Sequence, residues 1–429
     1  GSISKLMGAE LIVAELIEWH RMGEVITTLP SGLVVAVEPM TSTRTAAIGV
    51  YVGVGGRHDP VGQAGMSHFL EHLLFKGTHR RSAIEISQAV DRLGGDLNAY
   101  TSKEYTAFYC RVPARHSDTG IDLIGELLTQ PALRPADVES ERQVILEELA
   151  MDDDTPDDVV HQAFSAALFP GHQLGYDTAG ERDTVRAISA RDLAEFYGAS
   201  YHAANAVVAV AGAVDPDEVV ERVAKAFVQM PEGAGKLTTQ AVGGAPGHDV
   251  LIDDDTEQTH IVVGGRAVAR DDADREALDI VNHVFGGGLS SRLWDEIRER
   301  RGLAYSVASS LTAFSDTGAW SVYAGTMPEH ASAVADLLNT ELQRLVEGGI
   351  TEHELEIARG YLTGSFEIGL EDSGARMARL GGQLLLRGEV CPIDDQLARW
   401  ESVTLDDAHR AIARVYSGDT VSVRLGPLT

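Results

Sequence analysis

The same order of expected elements occurs twice in this chain, and that repetition limits its fold more than its composition does. In the first half Thr106-Ala107-Phe108-Tyr109 reads as strand, a helix covers about 116–129, and Arg134-Pro135-Ala136-Asp137 opens another helix to about 151. In the second half Gly318-Ala319-Trp320-Ser321 reads as strand, a helix covers 330–347, and Ile350-Thr351-Glu352-His353 opens the next. Runs rich in β-branched and small apolar residues mark the strands, and three-to-four spacing marks the helices. Two copies of one α/β unit follow, in keeping with a length of 429 residues, too long for one ordinary core. The seam is expected at 231–248, where Pro-Glu-Gly-Ala-Gly and Gly-Gly-Ala-Pro-Gly interrupt every periodicity. The chain then divides into 24–230 and 249–429, with 1–23 an N-terminal extension or a cloning-derived segment.

The first copy contains His68-Phe69-Leu70-Glu71-His72. Two histidines four apart share one helix face, about a turn from each other. Imidazoles so placed can hold a single zinc ion. Glu71 then stands where it can activate a water beside the metal rather than ligate it. The order H-x-x-E-H is the inverse of the commoner H-E-x-x-H and belongs to the zinc-hydrolase signatures. Met66-Ser67 before and Leu73-Leu74-Phe75 after make this a buried or half-buried helix. Two histidines and a glutamate are costly there unless paired or coordinated. Setting Phe75 against Phe285 puts Asn282 opposite His72 and Val281 opposite Glu71, so the second copy lacks the ligands, and His283 reads as structural.

A catalytic zinc needs a third protein ligand and one open position. The best source is the acidic helix running from Glu141 to Leu149, which offers Glu141, Glu147 and Glu148. Seven residues make about two helical turns, so Glu141 and Glu148 share a face while Glu147 points elsewhere.

These stretches resemble the pitrilysin / insulin-degrading enzyme / mitochondrial processing peptidase family, in a short two-domain bacterial-type form similar to the active processing subunit. The resemblance covers nearly all of 24–425 and has motifs in both halves. In that family a glutamate ligand follows the pentamer by about 76 residues, and the match falls on Glu148. A supporting acid seven residues earlier matches Glu141. The resemblance therefore implies one zinc per chain on His68, His72 and Glu148, with Glu71 as general base. Residues from His68 to Lys76-Gly77-Thr78 are close to the active processing subunit. Gly94 to Thr101 resembles the family's substrate-pairing edge strand, with Asn98 and Ala99 the positions that carry over. Strand addition grips a peptide through its main chain whatever its side chains. His172-Gln173-Leu174-Gly175 fits a family loop in which most relatives have proline at the place of Gln173, and His172 reads as structural.

The glycine-rich stretch 286–293 lacks the Gly-Lys-Ser/Thr ending of a phosphate loop. The family instead has an arginine and a tyrosine seven apart, matching Arg298 and Tyr305, which contact substrate and help stabilise the oxyanion. Longer members carry four domains with this pair on the last. By that analogy the chain is expected to form a homodimer, or a heterodimer with a related subunit, enclosing a chamber for unfolded peptides. Each site would then take Arg298 and Tyr305 from the other subunit. The expected fold is α+β, two homologous domains each with a mixed, largely antiparallel sheet packed with helices. The expected activity is that of a zinc endopeptidase or oligopeptidase. The alternative is a non-catalytic structural subunit like respiratory-complex core proteins, against which the complete set of zinc-site residues argues.

A net charge of −30 disfavours a nucleic-acid partner, which needs a basic face, and leans toward basic peptides. No apolar stretch approaches the roughly 20 residues of a membrane span. Cys110 and Cys391 are the two cysteines, one in each half, and make neither a disulfide framework nor a cysteine metal site. Glu10, Glu15 and Glu18 interrupt what a secretory leader would keep apolar, so a cytoplasmic location is expected. Gly1-Ser2 reads as a cloning remnant and Met22 as a native start, with 3–21 able to form an amphipathic helix through Leu6, Val13, Leu16 and Ile17.

Overall fold

The computed structural model describes residues 19–427 apart from 22, 232 and 234. Two sheets organise it. The first holds β1 (Trp19–Arg21), β2 (Glu24–Thr28), β3 (Val34–Pro39), β4 (Thr45–Val52), β5 (Asp96–Thr101), β6 (Thr106–Pro113) and β7 (Ala206–Gly212), in the order β1-β2-β3-β7-β4-β6-β5. Only β3 and β7 run parallel. The second holds β8 (Val250–Asp253), β9 (Thr259–Ala267), β10 (Ala304–Ala313), β11 (Gly318–Thr326) and β12 (Thr420–Gly426), in the order β10-β11-β9-β12-β8, with β12 and β8 its parallel pair. Both are the mixed, largely antiparallel sheets expected from the sequence.

The helices repeat as well. In the first half α1 (Met66–Leu74) and α2 (Ala83–Leu93) precede β5, and β6 leads to α3 (Ser117–Thr129), α4 (Pro135–Asp153) and α5 (Pro156–Leu168). In the second half β11 leads to helices Ala331–Gly348, Glu352–Gly369 and Ser373–Arg387. Prolines at the first turn of α4 and α5 start those helices where no intrahelical donor is needed. Ser82 and Glu85 form a capping box at the start of α2.

The last helix of each triplet packs on the other half's sheet. Val160, Phe164 and Leu168 of α5 lie against Val262 of β9 and Val421, Val423 and Leu425 of β12. Reciprocally, Met377, Leu380, Leu384 and Leu385 cover Ala36, Ala47, Tyr51, Ala209 and Ala211 of the first sheet. This explains why β7 is buried along its whole length: Ala206, Val208 and Val210 face the main core, while Val207, Ala209 and Ala211 face the exchanged helix. The approach is close. A Cβ on Gly49 would lie 2.2 Å from Met377 Sδ, and one on Gly381 2.2 Å from the Tyr51 ring.

A buried ionic cluster ties the halves together. Glu104 accepts from Arg57 Nη1 (2.8 Å), from the Ser315 amide (3.0 Å) and hydroxyl (2.7 Å), and from Arg270. Arg57 also donates to Asp316 (2.7 Å) and to the Gln240 carbonyl (3.0 Å). The described part of 231–248 forms no regular element, yet it is held at several points. The His172 imidazole donates to Gln240 O (3.0 Å), Arg266 to Gly244 O (2.7 Å), and the Gly247 amide to Ala167 O (2.7 Å).

Several local expectations are corrected. The amphipathic helix expected over 3–21 lies outside the described residues except at its end, where 19–21 is strand. Helix Arg275–Asn282 passes directly into a π-helical turn, His283–Gly287. A second π-helical segment, Trp294–Glu299, follows the glycine-rich stretch 286–293. Strands β2 and β10 have no counterpart in the sequence reading. No helix among the described residues is long and apolar enough to cross a membrane.

Candidate metal centre

Helix α1 buries Met66, Phe69, Leu70, Leu73 and Leu74, which leaves His68 and His72 on its remaining face. Its start is fixed by Asp59. That carboxylate accepts from the amides of Gly65 (2.8 Å) and Ser67 (2.9 Å) and from the Ser67 hydroxyl (2.6 Å). Gly65 has φ +93°, and a Cβ there would meet the Ala179 carbonyl at 2.5 Å, so the turn into α1 requires glycine.

The two histidines bring their Nε2 atoms to 3.2 Å from each other. Glu148, half-buried on α4, puts Oε2 at 3.6 Å from His72 Nε2. Ligand atoms of His68, His72 and Glu148 all lie within 4.8 Å of one another. Two nitrogens about 2.0–2.1 Å from a tetrahedral zinc would be about 3.3 Å apart, so the donor set suits that ion. Burial, and then the neighbouring His72, push His68 down to about 4, which leaves its ring neutral and able to ligate.

Glu141, buried and two turns before Glu148, accepts from His72 Nδ1 at 3.0 Å. A carboxylate at Nδ1 fixes the tautomer that frees Nε2 for a metal. Its other oxygen pairs with Lys76. Burial would raise the Glu141 pKa, but the bonds from His72 and Lys76 outweigh it and hold the carboxyl below its usual range. Burial likewise works against a charged His72, yet the bond to Glu141 and the nearby Glu148 and Glu71 carboxylates raise its pKa. His68 has no such anchor, and its buried Nδ1 has no hydrogen-bond partner among the described residues. Glu147 is exposed, as its helical phase requires.

Glu71 is 8% exposed, and burial raises its pKa against the opposing hydrogen bond that Thr101 donates to Oε2. Thr101 closes β5, one of the two edge strands of the first sheet. Asn98 and Ala99 lie on the same strand, and Asn98 Oδ1 accepts from the Ala99 amide at 2.9 Å.

Arg298 and Tyr305 form a separate cluster. The Arg298 guanidinium sits 3.9 Å from the Trp294 ring centre and 4.7 Å from that of Tyr305. Tyr305 is 79% exposed and lies at a break in the β10–β11 register, between the pairs Ala304–Thr326 and Ser306–Gly325. A bulge there turns its side chain out of the ladder. Among the described residues these are the side-chain contacts of the pair, and none is with the His68–His72–Glu148 cluster.

In the second half, helix Arg275–Asn282 ends on Val281 and Asn282, the residues the sequence sets against Glu71 and His72, and His283 stacks on Tyr361 with ring centres 4.1 Å apart. His172 accepts from the Leu174 amide at 3.1 Å through Nδ1, the structural part expected of it. Sequence reasoning did not single out Asp59, Thr101, Lys76 or Trp294. Two of them left a signal: Trp294 is four residues before Arg298, and Thr101 shares the strand face of Leu97 and Ala99.

A donor triad beside a buried carboxylate is the arrangement of a metallohydrolase centre. Comparison with known proteins agrees. Residues 34–182 match the insulinase family, peptidase family M16, and residues 187–362 match the family's domain described as the peptidase M16 inactive domain. A Streptomyces coelicolor protein named as an uncharacterised zinc protease is 42% identical over 95% of this chain and 91% of its own length. A Bacillus subtilis protein named as the uncharacterised zinc protease YmxG is 32% identical over 93% of this chain and 97% of its own length. Among solved structures, a peptidase M16 inactive domain from Pseudomonas fluorescens superposes with TM-score 0.88 at 19% identity, covering 97% of this chain and 98% of that one, a likeness of fold. A Helicobacter pylori protease superposes with TM-score 0.86 at 25% identity, covering 94% and 99%. The chain belongs to the M16 peptidase family.

Proposed function

We propose that this protein is a zinc-dependent endopeptidase or oligopeptidase acting on unfolded peptides. The observation that carries the reading is the convergence of His68, His72 and Glu148 donor atoms within 4.8 Å, with Glu71 immediately before His72 on the same helix. A zinc ion held by those three residues would polarise the scissile carbonyl and make an adjacent water more acidic. Glu71 takes a proton from the attacking water and delivers it to the leaving amine. Its burial, which raises its proton affinity, suits both halves of that transfer. Glu141 keeps the His72 ring in its ligating tautomer. Asn98 and Ala99, on the free edge of β5, offer main-chain groups to an extended peptide.

Arg298 and Tyr305 stabilise the tetrahedral oxyanion from a second subunit. Three observations favour this: the exposure of Tyr305, its place at a register break, and the lack of a described contact with the donor cluster. The assembly is a homodimer, each chain supplying one metal half and one arginine–tyrosine half. Its acidic charge favours basic peptides over acidic ones. The test mixes Glu71→Gln subunits with Tyr305→Phe subunits, each strongly impaired alone. Zinc-dependent peptide cleavage recovers on mixing if the site is shared, and stays low if each chain completes its own.

A further inference from the structure

We propose that Thr101 is a positioning residue for Glu71: its hydroxyl engages one carboxylate oxygen and reserves the other for the travelling proton. The inference rests on the peptidase reading above and assigns a part to a residue outside the zinc site and the arginine–tyrosine pair.

Thr101 is the last residue of β5, on the face it shares with Leu97 and Ala99, which pack against the main core. Its place is set by pairing with Thr106 across the hairpin and by the turn beyond, where the Ser102 amide donates to Tyr105 O at 2.8 Å. A hydroxyl has one proton to give. Thr106 gives its own to the Val54 carbonyl at 2.8 Å, although it also lies 3.4 Å from the Thr101 oxygen. Thr101 directs its proton to Glu71 Oε2. That oxygen therefore acts as an acceptor whether or not the carboxyl is protonated, and a proton taken by Glu71 resides on Oε1.

The transfer balances on Oε1 alone. A water O–H bond breaks, its proton moves to Oε1, and the water oxygen bonds to the scissile carbon. The C–N bond then breaks and the Oε1 proton passes to the departing nitrogen. Without Thr101 the carboxyl could rotate and hold its proton on the oxygen turned away from the amine. Because Thr101 closes the edge strand on which the peptide is proposed to lie, one hairpin sets both the peptide's main chain and the base.

Thr101→Val tests this, since valine keeps the β-branched shape a strand favours and removes only the hydroxyl. The expected result is a kcat reduced about 10- to 100-fold, a KM within about twofold, and bound zinc per chain unchanged. Thr101→Ser restores most of the lost kcat. In a Glu71→Gln background, Thr101→Val leaves both the residual rate and the affinity for an uncleaved fluorescent peptide where they were. A Thr101→Val protein with wild-type kcat overturns the proposal. So does a loss seen in KM or zinc content, or one that adds to Glu71→Gln, because each marks a part in the strand rather than at the base. A wild-type protein without zinc-dependent cleavage would overturn the peptidase reading itself. Active wild type beside equally active Thr101→Val defeats only the role given to Thr101.

Discussion

Replacing Glu141 with glutamine separates the orientation of a zinc ligand from its mere presence. Glu141 Oε1 accepts from His72 Nδ1 at 3.0 Å while Oε2 pairs with the Lys76 ammonium. A carboxamide has a single acceptor oxygen, so it can serve one of these partners and not both. If the oxygen turns to Lys76, the NH2 group faces Nδ1 and drives the imidazole proton onto Nε2, the atom that must ligate. If it turns to His72, a donor meets the ammonium and Lys76 loses its partner. The first rotamer gives His72 the wrong tautomer, and the second leaves it a neutral acceptor weaker than a carboxylate, so each makes His72 a poorer ligand. Loss of such a supporting group costs about 10- to 100-fold in metal affinity, or about 1.4–2.7 kcal/mol. The assay is a zinc competition titration against a chromophoric chelator near neutral pH, with circular dichroism to establish an intact fold. Glu147→Gln makes the same charge change on an exposed face of the same helix and should shift affinity by no more than about twofold. Equal zinc affinity in Glu141→Gln and wild type would refute the orientation argument, however active the variant proved.

Glu104→Ala should destabilise the fold by about 3–5 kcal/mol in denaturant unfolding, because it strips partners from the fully buried Arg57 side chain and from Arg270. Burial works to raise the Glu104 pKa, but bonds from Ser315 and Arg270 hold it below the usual 4.5. Its stabilisation is therefore complete above about 4.5 and lost as pH falls through the depressed folded value, so the variant's deficit should be largest near neutrality and shrink in acid. A deficit constant with pH would count against the ionic assignment. Leu380→Ala, in the helix that the second half lends to the first sheet, should cost about 2–5 kcal/mol. A change within about 0.5 kcal/mol would mean that the exchanged helix adds little to cohesion.

Much of this was legible in the sequence because it depends on spacing along one helix. His68, Glu71 and His72 are neighbours in the chain, and the seven-residue interval from Glu141 to Glu148 places both on one face wherever the helix lies. The duplication was legible for a similar reason, since β6 and β11 are each followed by three helices in succession. What periodicity could not supply was contact between distant segments. The bond from Thr101 to Glu71 joins a strand end to a helix, and Asp59 reaches the start of α1 through a loop. The exchange of α5 and the helix Ser373–Arg387 was invisible because an amphipathic face does not say which sheet covers it. The π-helical turns at 283–287 and 294–299 and the strand β10 were missed together, since glycines 286–288 and clustered charges over 295–301 obscure both helical and strand periods.

The central claim is that Glu71 does the proton transfer at a zinc site it does not help to hold. Measuring bound zinc and peptide cleavage side by side in wild type and Glu71→Gln addresses it most directly. Zinc per chain should be the same in both, while cleavage should fall about 10²- to 10⁴-fold in the variant. A Glu71→Gln protein that keeps its zinc and cleaves at the wild-type rate would contradict the account.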